Sequence, residues 1–155
     1  MAYLRRKADQ FLVGWKATSG HSPLLVKGAR QVGKTETILH FARDAYRNVV
    51  EVNFVDRPIF KSITRDGYEP EDVLRLLSQF DGSFRFEPGQ TLIFFDEVQA
   101  HPDIMTTLKF FKRDGRFDVI ASGSLLGIQY GQITSLSVGS QETYEMRGLD
   151  FEEFL

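Results

Sequence analysis

Gly28-Ala29-Arg30-Gln31-Val32-Gly33-Lys34-Thr35 is the stretch on which the fold turns. It matches the pattern G-x-x-x-x-G-K-[ST] without a mismatch. Two glycines permit backbone conformations that turn successive N–H groups toward one point, which makes a cradle for an anion. Pro23-Leu24-Leu25-Val26-Lys27 before it reads as a short buried strand. Ile38, Leu39, Ala42, Ala45 and Tyr46 after it keep the spacing of one helix face. A helix leaving such a loop adds the positive end of its dipole to the cradle. Lys34 brings a compact charge to outer phosphates, and the Thr35 hydroxyl is a hard oxygen suited to magnesium. The expected phosphate-binding residues are therefore Gly28, Ala29, Arg30, Gln31, Val32, Gly33, Lys34 and Thr35, with Glu36 next to them.

Outward from the loop, strands and helices alternate. Leu4, Ala8, Phe11, Leu12 and Trp15 mark a first helix, and Val49-Val50-Glu51-Val52-Asn53-Phe54 a second strand. A helical turn is expected at Ile59 to Ile63. A clearer helix runs from Pro70 to Phe80, with Val73, Leu76, Leu77 and Phe80 as its buried stripe. Thr91-Leu92-Ile93-Phe94-Phe95 is apolar throughout, as a strand covered on both faces should be. Another helix is expected from Pro102 to just before Gly115, then strands at Phe117 to Ala121 and Glu142 to Met146. This order predicts an α/β three-layer sandwich around a mostly parallel five-stranded sheet.

Leu92-Ile93-Phe94-Phe95 runs directly into Asp96 and Glu97. Ligands of open parallel sheets bind beyond the carboxyl ends of the strands, so this strand delivers two carboxylates where a ligand is expected. Asp96 would hold magnesium with Thr35, and Glu97 would polarise an attacking water. Val119-Ile120-Ala121-Ser122-Gly123-Ser124 ends in small polar residues that suit a sensor of the outer phosphate or the water. Ser122 and Ser124 are both candidates, and the sequence does not choose between them. No G-x-S-x-G surrounds either serine, which argues against a hydrolase elbow.

Length and composition bound the rest. At 155 residues with 42% hydrophobic and 26% charged content, the chain suits one globular domain rather than a disordered or repetitive one. It has no cysteine, hence no disulfide framework, zinc knuckle or thiol nucleophile, in keeping with a cytoplasmic location. A net charge of −2 gives no general attraction to nucleic acid or anionic lipid, and no apolar run reaches membrane-spanning length. His21, His40 and His101 match no metal spacing. Lys109-Phe110-Phe111-Lys112-Arg113, near Arg116, mixes basic and aromatic residues as a nucleic-acid surface does. The plainer reading is a last helical turn whose cations complement the dipole. Arg5, Arg6 and Lys7 read as a solvated helix face.

Four segments occur together in order: Gly28 to Thr35, Phe94-Phe95-Asp96-Glu97-Val98-Gln99, Ala121-Ser122-Gly123-Ser124-Leu125-Leu126-Gly127, and Leu149-Asp150-Phe151-Glu152-Glu153-Phe154-Leu155. On these the chain resembles the N-terminal AAA-type ATPase core of a bacterial and archaeal family that carries a C-terminal domain of unknown function. The resemblance implies Walker A residues Lys34 and Thr35, Walker B residues Asp96 and Glu97, and Ser122 or Ser124 near the sensor position. It implies that the loop-bearing strand lies between the sensor strand and the last strand. It also implies ATP as substrate, ADP as product, magnesium as cofactor and self-association through the core. Residues 1–155 would be the core of a longer protein whose lid and C-terminal region lie beyond, nucleic-acid contact being a matter for that region. Between Phe117 and Met146 there is no lysine or arginine, although ring-forming relatives commonly carry an arginine finger there. Arg113, Arg116 and Arg147 are candidate substitutes, the alternative being a finger in the region expected beyond residue 155. The competing readings are a nucleotide-dependent switch or DNA-binding module with little hydrolysis, and a small-molecule kinase. The basic-free stretch speaks against the kinase, and the absence of N-K-x-D against guanine.

Overall fold

Period-two alternation in an all-apolar strand has one structural outcome, a sheet that buries both faces, and β3 (Thr91–Asp96) is that strand, with all six residues buried. In the computed structural model, which describes residues 7–29, 33–124, 139 and 141–146, Ile93 and Phe95 point to one core and Leu92 and Phe94 to the other. The remaining strands are β1 (Leu24–Gly28), β2 (Asn48–Asn53), β4 (Asp118–Ser124) and β5 (Glu142–Glu145). They form a five-stranded sheet in the order β2-β3-β4-β1-β5, and each neighbouring pair is parallel. The expected α/β sandwich is therefore present, with β1 between β4 and β5.

Helices α1 (Lys7–Ala17) and α2 (Lys34–Ala45) cover one face. Ala8, Leu12, Trp15, Ile38, Phe41 and Ala42 pack there against Leu24, Val26, Phe94 and Ile120. The other face is covered by α3 (Pro70–Phe80) and α4 (Leu108–Asp114) together with two 3-10 segments, Pro58–Thr64 and Pro102–Thr107. Phe60, Ile63, Leu76, Leu77, Ile104, Met105 and Phe111 meet Val52, Ile93, Phe95 and Val119 in that core.

Two expectations need correction. The helix expected from Pro102 to Gly115 is a 3-10 segment followed by the seven-residue α4. Buried Thr107 donates its hydroxyl to the Ile104 carbonyl at 2.6 Å, a local bond that competes with regular helical pairing. Gly115 then ends α4 in the left-handed region at φ 75°, where glycine carries no Cβ penalty. The strand expected to stop at Ala121 continues to Ser124, because Gly123 and Ser124 still pair with Lys27 and Gly28 of β1. Among the described residues no helix is long and apolar enough to cross a membrane.

Parallel pairing brings one set of strand ends to a common edge. Gly28 lies opposite Ser124, and Asp96 has Asn53 on one side and Ser122 on the other. That edge gathers Gly28, Asn53, Asp96, Ser122 and Ser124 from four strands.

Candidate functional site

The loop after β1 enters α2 through Gly33, whose backbone is left-handed at φ 83° and ψ 26°. Only glycine takes that conformation without steric cost, and it starts the helix with its first N–H groups facing the strand ends. Thr37 N–H already bonds the Gly33 carbonyl at 2.9 Å, so the helix is formed from its first turn. A cavity of about 480 Å³ opens over this helix end, lined by Gly33, Lys34, Thr35, Asn53, Glu97 and Ser124 among others.

Lys34 folds back over the loop. Its ammonium donates to the Gly28 carbonyl at 3.1 Å, the Ala29 carbonyl at 2.7 Å and Ser124 Oγ at 3.4 Å. Burial lowers the lysine pKa, while the nearby Glu97 and Asp96 carboxylates push it back up. Thr35 Oγ1 donates to Asp96 Oδ2 at 2.6 Å. Asp96 is 2% exposed, and burial pushes its carboxyl up to about 6, although bonds from the Thr35 hydroxyl and the Glu97 N–H pull it down. Asn53 also reaches Asp96 Oδ2 at 3.5 Å, and its own Oδ1 accepts from the N–H groups of Val55 and Asp56.

Glu97 leaves the sheet with a left-handed backbone, φ 61° and ψ 46°. A non-glycine residue in that region is held by its surroundings. Here the Glu97 N–H donates to Asp96 Oδ1 at 2.9 Å and the Glu97 carbonyl accepts from Ala100 N–H at 3.0 Å. The turn Val98–Ala100 is anchored by fully buried Val98. The Glu97 carboxylate accepts a bond from Gln99 Nε2.

The two serines separate clearly. Ser124 lines the cavity and meets Lys34. Ser122 is fully buried inside the sheet beside Asp96, and its hydroxyl has no hydrogen-bond partner among the described residues. Glu36 also lines the cavity, on the first turn of α2. Arg30, Gln31 and Val32 lie outside the described residues, as do Arg5, Arg6, Arg147 and the segment Leu149 to Leu155.

The donor set fits a magnesium ion. Thr35 and Asp96 offer hard oxygens already within hydrogen-bond distance of each other, and burial penalises the Asp96 charge until a cation compensates it. Among the described residues no group of three or more His, Cys, Asp or Glu could hold a metal. Glu36, Asp56 and Glu97 outnumber Lys34 among the described charges lining the cavity.

Sequence reading had given no role to Asn53 or Gln99. Asn53 is signalled only by its position at the end of β2, and Gln99 by closing the Phe94–Gln99 segment two residues past Glu97. The basic-aromatic segment takes its plainer form: Phe111 is core, and Lys109 and Arg113 flank the Phe110 ring at 5.1 and 5.3 Å. His21 Nε2 meets Asp118 Oδ1 at 2.7 Å, at the opposite end of β4 from this cavity.

A family model described as an AAA domain matches residues 20–155. The chain belongs to the AAA domain family. This AAA domain is similar in fold to three solved structures of low identity. Over 99% of its length it superposes on 42% of the Pif1 helicase of Candida albicans, with a TM-score of 0.57 and 12% identity. C. elegans PCH-2 matches 90% of it over 41% of that chain, with a TM-score of 0.53 and 12% identity. A chain of Drosophila ORC bound to DNA matches 92% of it over 89% of that chain, at 0.50 and 13%. This AAA domain thus spans about two fifths of the PCH-2 and Pif1 chains. No curated protein matches it.

Proposed function

We propose that this AAA domain binds ATP with magnesium and hydrolyses it at the edge formed by β1, β3 and β4. The observation that carries the proposal is the Thr35–Asp96 hydrogen bond beneath Lys34, with Glu97 lining the same cavity. The N–H groups at the start of α2 and the Lys34 ammonium hold the phosphates. To reach them, Lys34 gives up its bonds to the Gly28 and Ala29 carbonyls. Thr35 and Asp96 would hold magnesium, which supplies charge neutralisation at the phosphate oxygens. Glu97 accepts a hydrogen bond from the attacking water and aligns it with the terminal phosphate. Ser124 donates from its hydroxyl to the same phosphate, and Ser122 sits one layer deeper beside Asp96.

One feature favours slow turnover in this chain alone. Lys34 is the only cationic side chain among the described cavity residues, and an arginine at the transferring phosphate accelerates such reactions by about 10³- to 10⁵-fold. ATP rather than GTP rests on the family resemblance.

The test is single-turnover hydrolysis of ATP by the protein with and without magnesium, for the parent and Glu97→Gln. The expected result is a magnesium-dependent rate that falls about 100-fold or more in Glu97→Gln while nucleotide still binds. An unchanged rate in Glu97→Gln overturns the role of Glu97.

A further inference from the structure

Gln99 joins two strand ends that the hydrolysis reading treats separately. Its side-chain N–H donates to the Glu97 carboxylate, and its carbonyl oxygen accepts from the Ser124 backbone N–H at 3.2 Å. Both partners dictate the amide's orientation. A backbone N–H can only donate and an ionised carboxylate can only accept, so one placement of the amide satisfies both contacts. The amide is carried on the short 3-10 turn Val98–Ala100, and Val98 locks that turn into the core.

We propose that Gln99 is a positioning residue that aims the Glu97 carboxylate at the attacking water and ties its position to the end of β4. The proposal rests on the reading of Glu97 as the residue that orients water. The Glu97 main chain is held at its N–H by Asp96 and at its carbonyl by Ala100. Those bonds fix where the side chain starts. They leave its carboxylate to be aimed by a separate contact, and Gln99 makes that contact. Ser124 is the second anchor, and its hydroxyl also meets Lys34. The path Lys34–Ser124–Gln99–Glu97 therefore connects the phosphate-binding lysine to the hydrolytic carboxylate. A nucleotide that draws Lys34 off Ser124 acts on the same strand end that holds Gln99. Rate and phosphate occupancy are thereby linked without Gln99 touching the substrate.

Two substitutions separate the two bonds. Gln99→Met keeps the shape and removes both contacts. Gln99→Glu keeps an oxygen for the Ser124 N–H but loses the donor to Glu97 and sets a second carboxylate beside it. Single-turnover hydrolysis and the Kd of a fluorescent ATP analogue are measured for each, with a thermal melt to confirm folding. Both variants are expected to bind nucleotide within about twofold of the parent and to hydrolyse it roughly 10- to 100-fold more slowly. Gln99→Glu is expected to be at least as slow as Gln99→Met. In the Glu97→Gln background, Gln99→Met is expected to change the rate less than about twofold, because its route of action is already gone. Gln99→Glu at the parental rate would show that the Ser124 bond alone matters and overturns the proposal. So does a loss in Gln99→Met that multiplies with that of Glu97→Gln, or an affinity that falls as far as the rate. Glu97→Gln at the parental rate overturns instead the assignment of Glu97, so the two failures are distinguishable.

Discussion

Thr35 Oγ1 and Asp96 Oδ2 lie 2.6 Å apart, although 61 residues separate them in the chain. Thr35 lies in the first turn of α2, and Asp96 ends β3. The contact brings the Thr35 hydroxyl onto a buried carboxylate, and it sets the terms for what mutation does here.

Asp96→Asn should stabilise the metal-free, nucleotide-free protein above pH 7. Burial raises the Asp96 pKa to about 6, so the folded state holds this proton more tightly than the unfolded chain. Stability from this group is then present at low pH and lost as pH rises through about 6. The ionised carboxylate costs roughly 3 kcal/mol at pH 8, an upper figure because the side chain relaxes. The melting-temperature gain of Asp96→Asn should shrink as pH falls below 6. The same variant should lose magnesium-dependent hydrolysis, since an amide oxygen replaces a charged one. A variant no more stable than the parent at pH 8 contradicts the burial argument.

Lys34→Ala should abolish nucleotide-induced stabilisation. At about 100 times its Kd, a ligand that binds only the folded state adds roughly 2.7 kcal/mol, a shift of several degrees in a domain of this size. Magnesium-ATP should raise the parent's melting temperature by that amount and leave Lys34→Ala unmoved. If the parent itself does not respond, nucleotide binding at this edge is wrong.

His101 should make stability fall on acidification. It bonds Thr64 Oγ1 at 3.0 Å and packs on Phe54 with ring centroids 5.2 Å apart. Burial lowers its pKa, with Lys61 adding to that effect and Asp103 opposing it. The unfolded chain therefore takes up this proton first. The contribution is intact above the ordinary histidine pKa and lost as pH falls through the lower folded value. His101→Gln keeps a partner for Thr64 and removes the titration. Its melting temperature should drop less than the parent's between pH 7.5 and 5.5.

Phe95→Ala should cost about 3–5 kcal/mol, measured by urea unfolding. Phe95 is fully buried between Phe54 and Phe111, with ring centroids 6.1 and 6.2 Å away. β3, α4 and the turn after β2 meet at that ring, so no single neighbour can close the cavity. A loss under 1 kcal/mol would mean that the core refills.

Much of this molecule is written in short-range pattern. The glycines and Lys34-Thr35 of the loop, the apolar run into Asp96 and Glu97, and the alternation of strands and helices each depend on residues close in sequence. Backbone sterics and the period of burial act at that range, so the sheet and the cavity residues of the loop and of β3 were legible before any coordinates. The place of β1 between β4 and β5 came from family resemblance rather than from the residues, and the rest of the strand order came only from the structure.

What only the tertiary structure decided depends on neighbours across strands. Ser122 and Ser124 look alike in sequence. Pairing of Gly123 and Ser124 with β1 extends β4, buries Ser122 in the sheet and leaves Ser124 on the cavity. Asn53 gains meaning because β2 ends beside Asp96, and Gln99 because the end of β4 comes within hydrogen-bond reach of its turn. Propensity and periodicity report on a residue's own segment. Which polar groups face one another is settled by strand register and by the burial that forbids leaving them unpaired.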